Sequence, residues 1–212
     1  MIIDVRNISE KYSDIKIKGV IHIGAFFAEE YSDYISVGVN NQIWVEANKK
    51  LANDIAVNFQ SNKDIIVYNE LIFDEEKECT FNITNNGCSS SILQLKEHAN
   101  IYPHIQYIGT VRMTSKRFDS LIERDNIDMM KYNMLTVDVQ GVDLNVMKSF
   151  GDYIKHFNFI ITEVNTIEMY ENCNLVGEID EYLSKYGFIR EYTSLDSCGG
   201  WGDALYVRRG DR

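Results

Sequence analysis

At 212 residues, with 45% hydrophobic and 12% aromatic side chains, the chain is long enough to bury one large α/β core and short for two domains. Its formal charge of -11, from 32 Asp and Glu against 21 Lys and Arg, argues against a surface built to neutralise phosphates, so nucleic acid is not an expected partner. Cys79, Cys88, Cys173 and Cys198 form no C-x-x-C, the N-terminus lacks a signal pattern, and no apolar run approaches the roughly 20 residues of a membrane span, so the expectation is a reduced, cytoplasmic protein without a membrane partner.

Within residues 1–17, Ile2, Ile3, Val5, Ile8 and Tyr12 fit a short amphipathic helix, a cap over a sheet edge or a cleft. Val20 to Ile23 is β-branched and bounded by Gly19 and Gly24, the pattern of a strand buried on both faces of a parallel sheet. The small pair Gly24-Ala25 suits a turn that passes close to a ligand, and Glu29 and Glu30 suit the first turn of the next helix, whose face carries Tyr31, Tyr34 and Ile35. A second strand, Gln42 to Ala47, places Glu46 22 positions after Gly24, near the spacing at which a strand-tip carboxylate accepts hydrogen bonds from ribose hydroxyls. Asn48 then caps a helix carrying Leu51, Ile55 and Phe59.

Asp64 to Phe73 reads as a third strand and Cys79 to Thr84 as a short one. The stretch 85–91, with Ser89, Ser90 and Ser91, is the most loop-like in the chain, and its composition suits a solvent loop. Pro103 marks a second irregular region, followed by a short strand at Val111 to Thr114 and a helix burying Phe118, Leu121 and Ile122. Met134 to Val139 is a strand ending at Asp138; Gln140-Gly141 turns the chain into a helix with Leu144 and Met147 inward; Phe157 to Val164 is a strand ending at Glu163. The clearest helical period, from Leu175 through Ile179 and Leu183 to Tyr186, stops at Gly187. Phe188 to Thr193 and Ala204 to Arg208 read as an antiparallel hairpin closing a single domain over residues 1–212.

Three strands thus end on a carboxylate, Glu46, Asp138 and Glu163, on the rim where open α/β sheets bind ligands. Dinucleotide sites use three glycines so that the backbone can approach a pyrophosphate, whereas this turn has one glycine followed by Phe26, Phe27 and Ala28. S-adenosylmethionine has no phosphate and asks for a close turn, a ribose carboxylate and an adenine slot. The first two are legible here.

Five stretches in order, Val20–Glu30, Val45–Asn48, Ser89–Leu93, Met134–Asp143 and Ile160–Val164, resemble the motifs of FkbM-type S-adenosylmethionine-dependent methyltransferases, over roughly residues 18–207. The resemblance implies a class I methyltransferase fold: a Rossmann-like, seven-stranded, mostly parallel sheet in the order 3-2-1-4-5-7-6, helices on both faces, and a C-terminal antiparallel hairpin. It implies O-methylation of a sugar, glycan or glycosylated metabolite. By position, Gly24 and Ala25 would line the methionine end of the cofactor, Glu46 the ribose, and Glu70 and Leu71 the adenine, with His22, Phe26, Glu30, Ala47 and Asp138 completing the cofactor set. The serines 89–91 become a candidate active-site wall, joined by Gln140, Trp201 and Asp203 as acceptor contacts.

Asp138 is the first choice as catalytic base, with Glu163 beside it; Asp138, Glu163 and Asn165 could alternatively hold a hard divalent ion. The sequence departs from the family at His22, where an acid is common, at Phe26, where Asn or His is common, at Ala28, usually glycine, and at Gln140, often Glu. Plainer readings stand beside these: His22 as a core histidine, Asp143 as a first-turn helix acid, Trp201 as packing and Asp203 as a turn residue. Two rival functions stand beside this one, a nicotinamide-dependent oxidoreductase, which the single-glycine turn disfavours, and a non-catalytic binding module on the same fold. The oligomeric state has no signal.

Overall fold

The computed structural model describes residues 3–209, so Ile2 and the chain ends lie outside the description. In chain order the elements are α1 (Val5–Lys11), β1 (Gly19–Ile23), α2 (Tyr31–Ser36), β2 (Asn41–Val45), α3 (Lys49–Phe59), β3 (Ile65–Tyr68), β4 (Glu78–Thr84), α4 (Glu97–Ile101), β5 (Tyr107–Thr114), α5 (Phe118–Asp125), β6 (Met134–Val137), α6 (Asp143–Lys148), β7 (Phe159–Asn165), α7 (Val176–Ser184), β8 (Phe188–Leu195) and β9 (Trp201–Arg208).

Seven strands form one sheet in the order β3-β2-β1-β6-β7-β9-β8. Strands β1, β2, β3, β6 and β7 run parallel, and β9 is antiparallel to both β7 and β8. Numbered within the sheet alone, this is the expected 3-2-1-4-5-7-6. The central strand owes its place to composition: all five residues of β1 are buried, and alternate side chains serve opposite faces. Ile21 and Ile23 pack with Leu135, Val137 and Ile160 beneath α5, α6 and α7, which contribute Leu121, Met147, Ile179 and Leu183. Val20 packs on the other face with Trp44, Met134 and Phe159, beneath Val5 and Ile8 of α1, Tyr34 of α2 and Ile55 of α3. Asn48 caps α3 as expected, its side chain accepting from Lys50 N and Leu51 N.

Several boundaries differ from the sequence reading. Helix α1 is shorter than the 1–17 segment, and Tyr12 beyond it packs on Phe159 of the sheet, ring centroids 5.5 Å apart. Helix α2 begins only at Tyr31, with Glu30 as its N-cap and Asp33 as the first-turn acid. Strand β3 ends at Tyr68, because Asn69 turns its amide back onto the carbonyls of Glu46 and Ala47, at 2.9 and 3.0 Å. The segment read as two isolated short strands is an antiparallel two-stranded sheet outside the main one, β4 against β5. Nothing in the sequence marked that pairing: β5 is exposed along nearly its whole length, so it carries no buried face to set a register. Among the described residues no helix is long and apolar enough to cross a membrane.

Candidate active site

The turn after β1 is held by its neighbours before any ligand is considered. Gly24 N and Ala25 N both donate to Val45 O, at 2.9 and 3.0 Å, and Asp138 N donates to Ile23 O at 2.9 Å. A Cβ on Gly24 would lie 1.8 Å from Asp138 O, and its φ of +90° is itself a glycine conformation. The glycine therefore serves first the close approach of the β1 and β6 ends. Gly24→Ala is expected to lower stability by about 3 kcal/mol, combining an overpacking cost of about 1–3 with a left-handed cost of about 1–2 kcal/mol. Thermal unfolding checks this, and a melting temperature within a degree of the parent would refute it.

Phe26 and Ala28 also have positive φ, 48° and 55°, as does Gln140 at 59°. Three of the four departures from the family pattern thus stand at left-handed positions, where Gly, Asn and His are the residues that ordinarily settle. What holds Phe26 there is Glu46: its Oε2 accepts from Phe26 N at 2.8 Å, while Oε1 accepts from Asn48 N at 2.7 Å.

All ten residues expected to meet the cofactor, His22, Gly24, Ala25, Phe26, Glu30, Glu46, Ala47, Glu70, Leu71 and Asp138, line one cavity of about 230 Å³ over this turn. Buried Glu46 sits at the tip of β2, its pKa raised by burial against the pull of the two backbone donors. Each of its oxygens retains a second acceptor site, which suits a ribose diol. One end of the cavity is apolar, where Leu71 packs with Phe81 and Ile92 and offers a slot for a flat ring. Phe81 and Ile92 escaped the sequence reading because they arrive on β4 and the loop after it. The alternation of Cys79, Phe81 and Ile83 was the available signal, but it does not say which face meets the cavity. The residues present therefore fit S-adenosylmethionine: a ribose carboxylate, an adenine-sized apolar slot and a close turn with no pyrophosphate cradle.

His22 answers to both of its readings. It lines the cavity, yet its Nδ1 lies 3.1 Å from Tyr34 Oη, which continues to Thr136 Oγ1 at 3.0 Å, and its ring stacks on Trp44 at 4.7 Å. Burial pulls its pKa down to about 4, so it stands neutral.

A second cavity, about 440 Å³, opens over the ends of β6, β7 and β9. Ser89, Glu163, Asn165, Trp201 and Asp203 line it, and Asp138, Gln140 and Cys88 line both cavities. The serines are not a solvent loop: all three are buried. Ser89 faces the second cavity and Ser90 the first. Ser91 lines neither; its hydroxyl donates to Gln140 O at 2.7 Å and supports the turn from behind. Asp203 lies within β9 rather than in a turn, in register with Glu163 on β7, and accepts from Ile3 N at 3.2 Å.

The Gln140 side chain joins the acids. Its Nε2 donates to Asp138 Oδ1 at 2.7 Å and to Glu163 Oε2 at 2.6 Å, while its Oε1 accepts from Tyr170 Oη at 2.5 Å. Asp143, at the start of α6, accepts from Val139 N and Gly141 N, at 3.2 and 3.1 Å, and so shapes the turn that presents Asp138. Burial, then the charge of Asp203, pushes Asp138 up to about 6, against the hydrogen bond from Gln140. Burial and the neighbouring acids Asp138, Asp143 and Asp203 hold Glu163 well above the ordinary carboxylate range.

This donor set does not fit a hard divalent ion. Where the carboxylates of Asp138 and Glu163 converge, an amide N–H₂ already points at both. Among the described residues, no group of three or more His, Cys, Asp or Glu is placed to hold a metal. His98, Tyr102, His104, Met169 and Tyr170 also line the second cavity and went unnoticed in the sequence. His98 stands on the five-residue helix α4, too short to show a period, and the others come from irregular stretches.

An open sheet with this strand order, carrying carboxylates at its C-terminal rim and a cavity over the first turn, defines the class I methyltransferase fold. A family model described as the methyltransferase FkbM domain matches residues 11–190, and the chain belongs to that family of S-adenosylmethionine-dependent methyltransferases. Among characterised relatives, the 2-O-methyltransferase NoeI of Sinorhizobium fredii is 23% identical over 104 residues, a match spanning 49% of this chain and 42% of that protein. Among solved structures, the ribosomal protein L11 methylase of Lactobacillus delbrueckii subsp. bulgaricus superposes with a TM-score of 0.51 at 8% identity, covering 96% of this chain and 76% of its own. A protein of the NADB-Rossmann superfamily from Streptococcus agalactiae gives a TM-score of 0.51 at 10% identity, covering 100% and 71%. At these identities the structures speak for the fold alone, and the nicotinamide reading loses its support to the family match.

Proposed function

We propose that this protein transfers a methyl group to a hydroxyl oxygen of a small uncharged sugar or glycosylated metabolite, with Asp138 as general base. One observation carries the reading: Asp138 stands in the wall shared by the cofactor cavity and the second cavity. When bound, S-adenosylmethionine supplies a methyl group activated by its sulfonium. The second cavity would hold the acceptor with its hydroxyl towards Asp138, which would take the hydroxyl proton as the oxygen accepts the methyl group that the cofactor supplies. Gln140 fixes the Asp138 carboxylate through Oδ1. A base with a pKa near 6 is unprotonated at neutral pH while still competent to take a proton. The name of NoeI, a 2-O-methyltransferase, supports oxygen as the acceptor atom. Phosphate-bearing acceptors, nucleic acids included, are disfavoured by Asp138, which is unprotonated at neutral pH on the wall of the second cavity.

The test is methyl transfer from labelled cofactor onto a panel of neutral glycosides, read by mass spectrometry with and without chelator. Transfer to at least one glycoside, unchanged by chelator, is the expected outcome. A requirement for added divalent ion would refute the metal-free base, and absence of a melting shift with S-adenosylhomocysteine would return the protein to a non-catalytic module.

A further inference from the structure

Most polar side-chain atoms around the second cavity already have partners. Gln140 occupies Asp138 and Glu163, Ile3 N occupies Asp203, and Asn86 Nδ2 donates to Ser89 Oγ at 2.9 Å. The aromatic walls are spoken for as well: Trp201 Nε1 donates to Tyr102 Oη at 3.1 Å, and that hydroxyl donates to Asp196 Oδ2 at 2.8 Å. Their ring faces, not their polar atoms, are left for a ligand. Two residues that line this cavity, His98 and Asn165, each carry a buried side-chain atom with no hydrogen-bond partner, Nδ1 and Oδ1, two of four such atoms among the described residues. Both side chains are more than nine-tenths buried, His98 at 7% exposure and Asn165 at 1%.

An unsatisfied buried polar atom is costly unless a ligand completes it. His98 is also held in place, its backbone N–H donating to Met169 O and its ring packed against Tyr102 and Tyr170 at 5.0 and 5.5 Å. Asn165 is fixed on β7 two residues beyond Glu163. We propose that His98 and Asn165 are the acceptor-recognition pair, binding a second hydroxyl of the acceptor beside the one presented to Asp138, so that the substrate is an uncharged compound with adjacent hydroxyls. The inference rests on the O-methyl transfer proposed above. A hydroxyl can donate to Asn165 Oδ1 or exchange a hydrogen bond with His98 Nδ1, whose role follows the imidazole tautomer. The Asp138 carboxylate on the same wall, charged at neutral pH, repels an acceptor carrying a carboxylate or phosphate of its own.

The experiment compares three acceptors, a neutral methyl glycoside with adjacent hydroxyls, its monodeoxy analogue lacking the second hydroxyl, and the corresponding uronide, on the parent, His98→Phe and Asn165→Leu. With the parent, the deoxy analogue and the uronide are each expected to lose about tenfold or more in kcat/KM, because a site built around a hydroxyl is left unpaired without it. In either variant the neutral glycoside falls to the level of the deoxy analogue, chiefly through KM, while the deoxy analogue is unchanged. The melting shift given by S-adenosylhomocysteine stays at the parent value and reports a folded, cofactor-competent protein. Equal losses on glycoside and deoxy analogue, or a uronide turned over as fast as the neutral sugar, overturn the inference while leaving O-methyl transfer standing. No transfer to any of the three by the parent overturns the underlying reading itself. Should one variant fail to fold, the other decides, since each removes one of the two atoms.

Discussion

Asp138→Asn lowers kcat by about 10²–10⁴-fold, the range expected when a positioned general base is removed. Asparagine keeps the shape and can still accept from Gln140 Nε2, so the change isolates the proton-accepting role from the scaffold. The parent carries its own signature in pH. Because burial and Asp203 raise Asp138 to about 6, kcat/KM is full above that value and falls about tenfold per unit below it, as the base becomes protonated. In the variant that acid limb disappears along with the rate. Single-turnover rates across pH 5 to 8 decide the matter: a loss smaller than about tenfold, or an unchanged acid limb, would remove Asp138 from the chemistry.

Glu46→Gln weakens S-adenosylhomocysteine binding by about 10–100-fold, since hydrogen bonds to a charged group contribute roughly 1.5–3 kcal/mol each. The effect has two sources. The ribose loses a carboxylate acceptor, and the new amide N–H₂ must face either Phe26 N or Asn48 N, both of which now donate to Glu46. The second source loosens the left-handed Phe26, so the melting temperature without ligand also drops. Titration calorimetry gives the affinity; a dissociation constant within twofold of the parent would show that the ribose is held elsewhere.

Much of this site is written in short local patterns. Val20 to Ile23, bounded by glycines, announced a central strand, and Glu46, Asp138 and Glu163 lay at strand ends by count alone. The ten cofactor residues meet one cavity because they cluster at the ends of four strands, β1, β2, β3 and β6, whose relative placement the parallel sheet imposes. The acceptor side was far less legible. His98 stands on a helix of only five residues, Tyr102 and Tyr170 stand in irregular backbone, so no period marks the inward face, and Ser89 to Ser91 had the composition of a solvent loop. Gln140 looked like a departure from the family, whereas its amide is the donor that lets two carboxylates sit side by side.

By itself the amino-acid sequence determined the individual strands and the rim of acids, because hydrophobic period, glycine turns and strand-end residues are properties of neighbours in the chain, while the strand order was implied only through the resemblance of its motifs to a family. Only the tertiary structure decided that β4 pairs with β5, that Asp138 is shared by two cavities, and that His98 Nδ1 and Asn165 Oδ1 are left without partners. Those facts depend on contacts between residues tens of positions apart, and on which buried polar atoms remain unsatisfied once all the others have found their bonds.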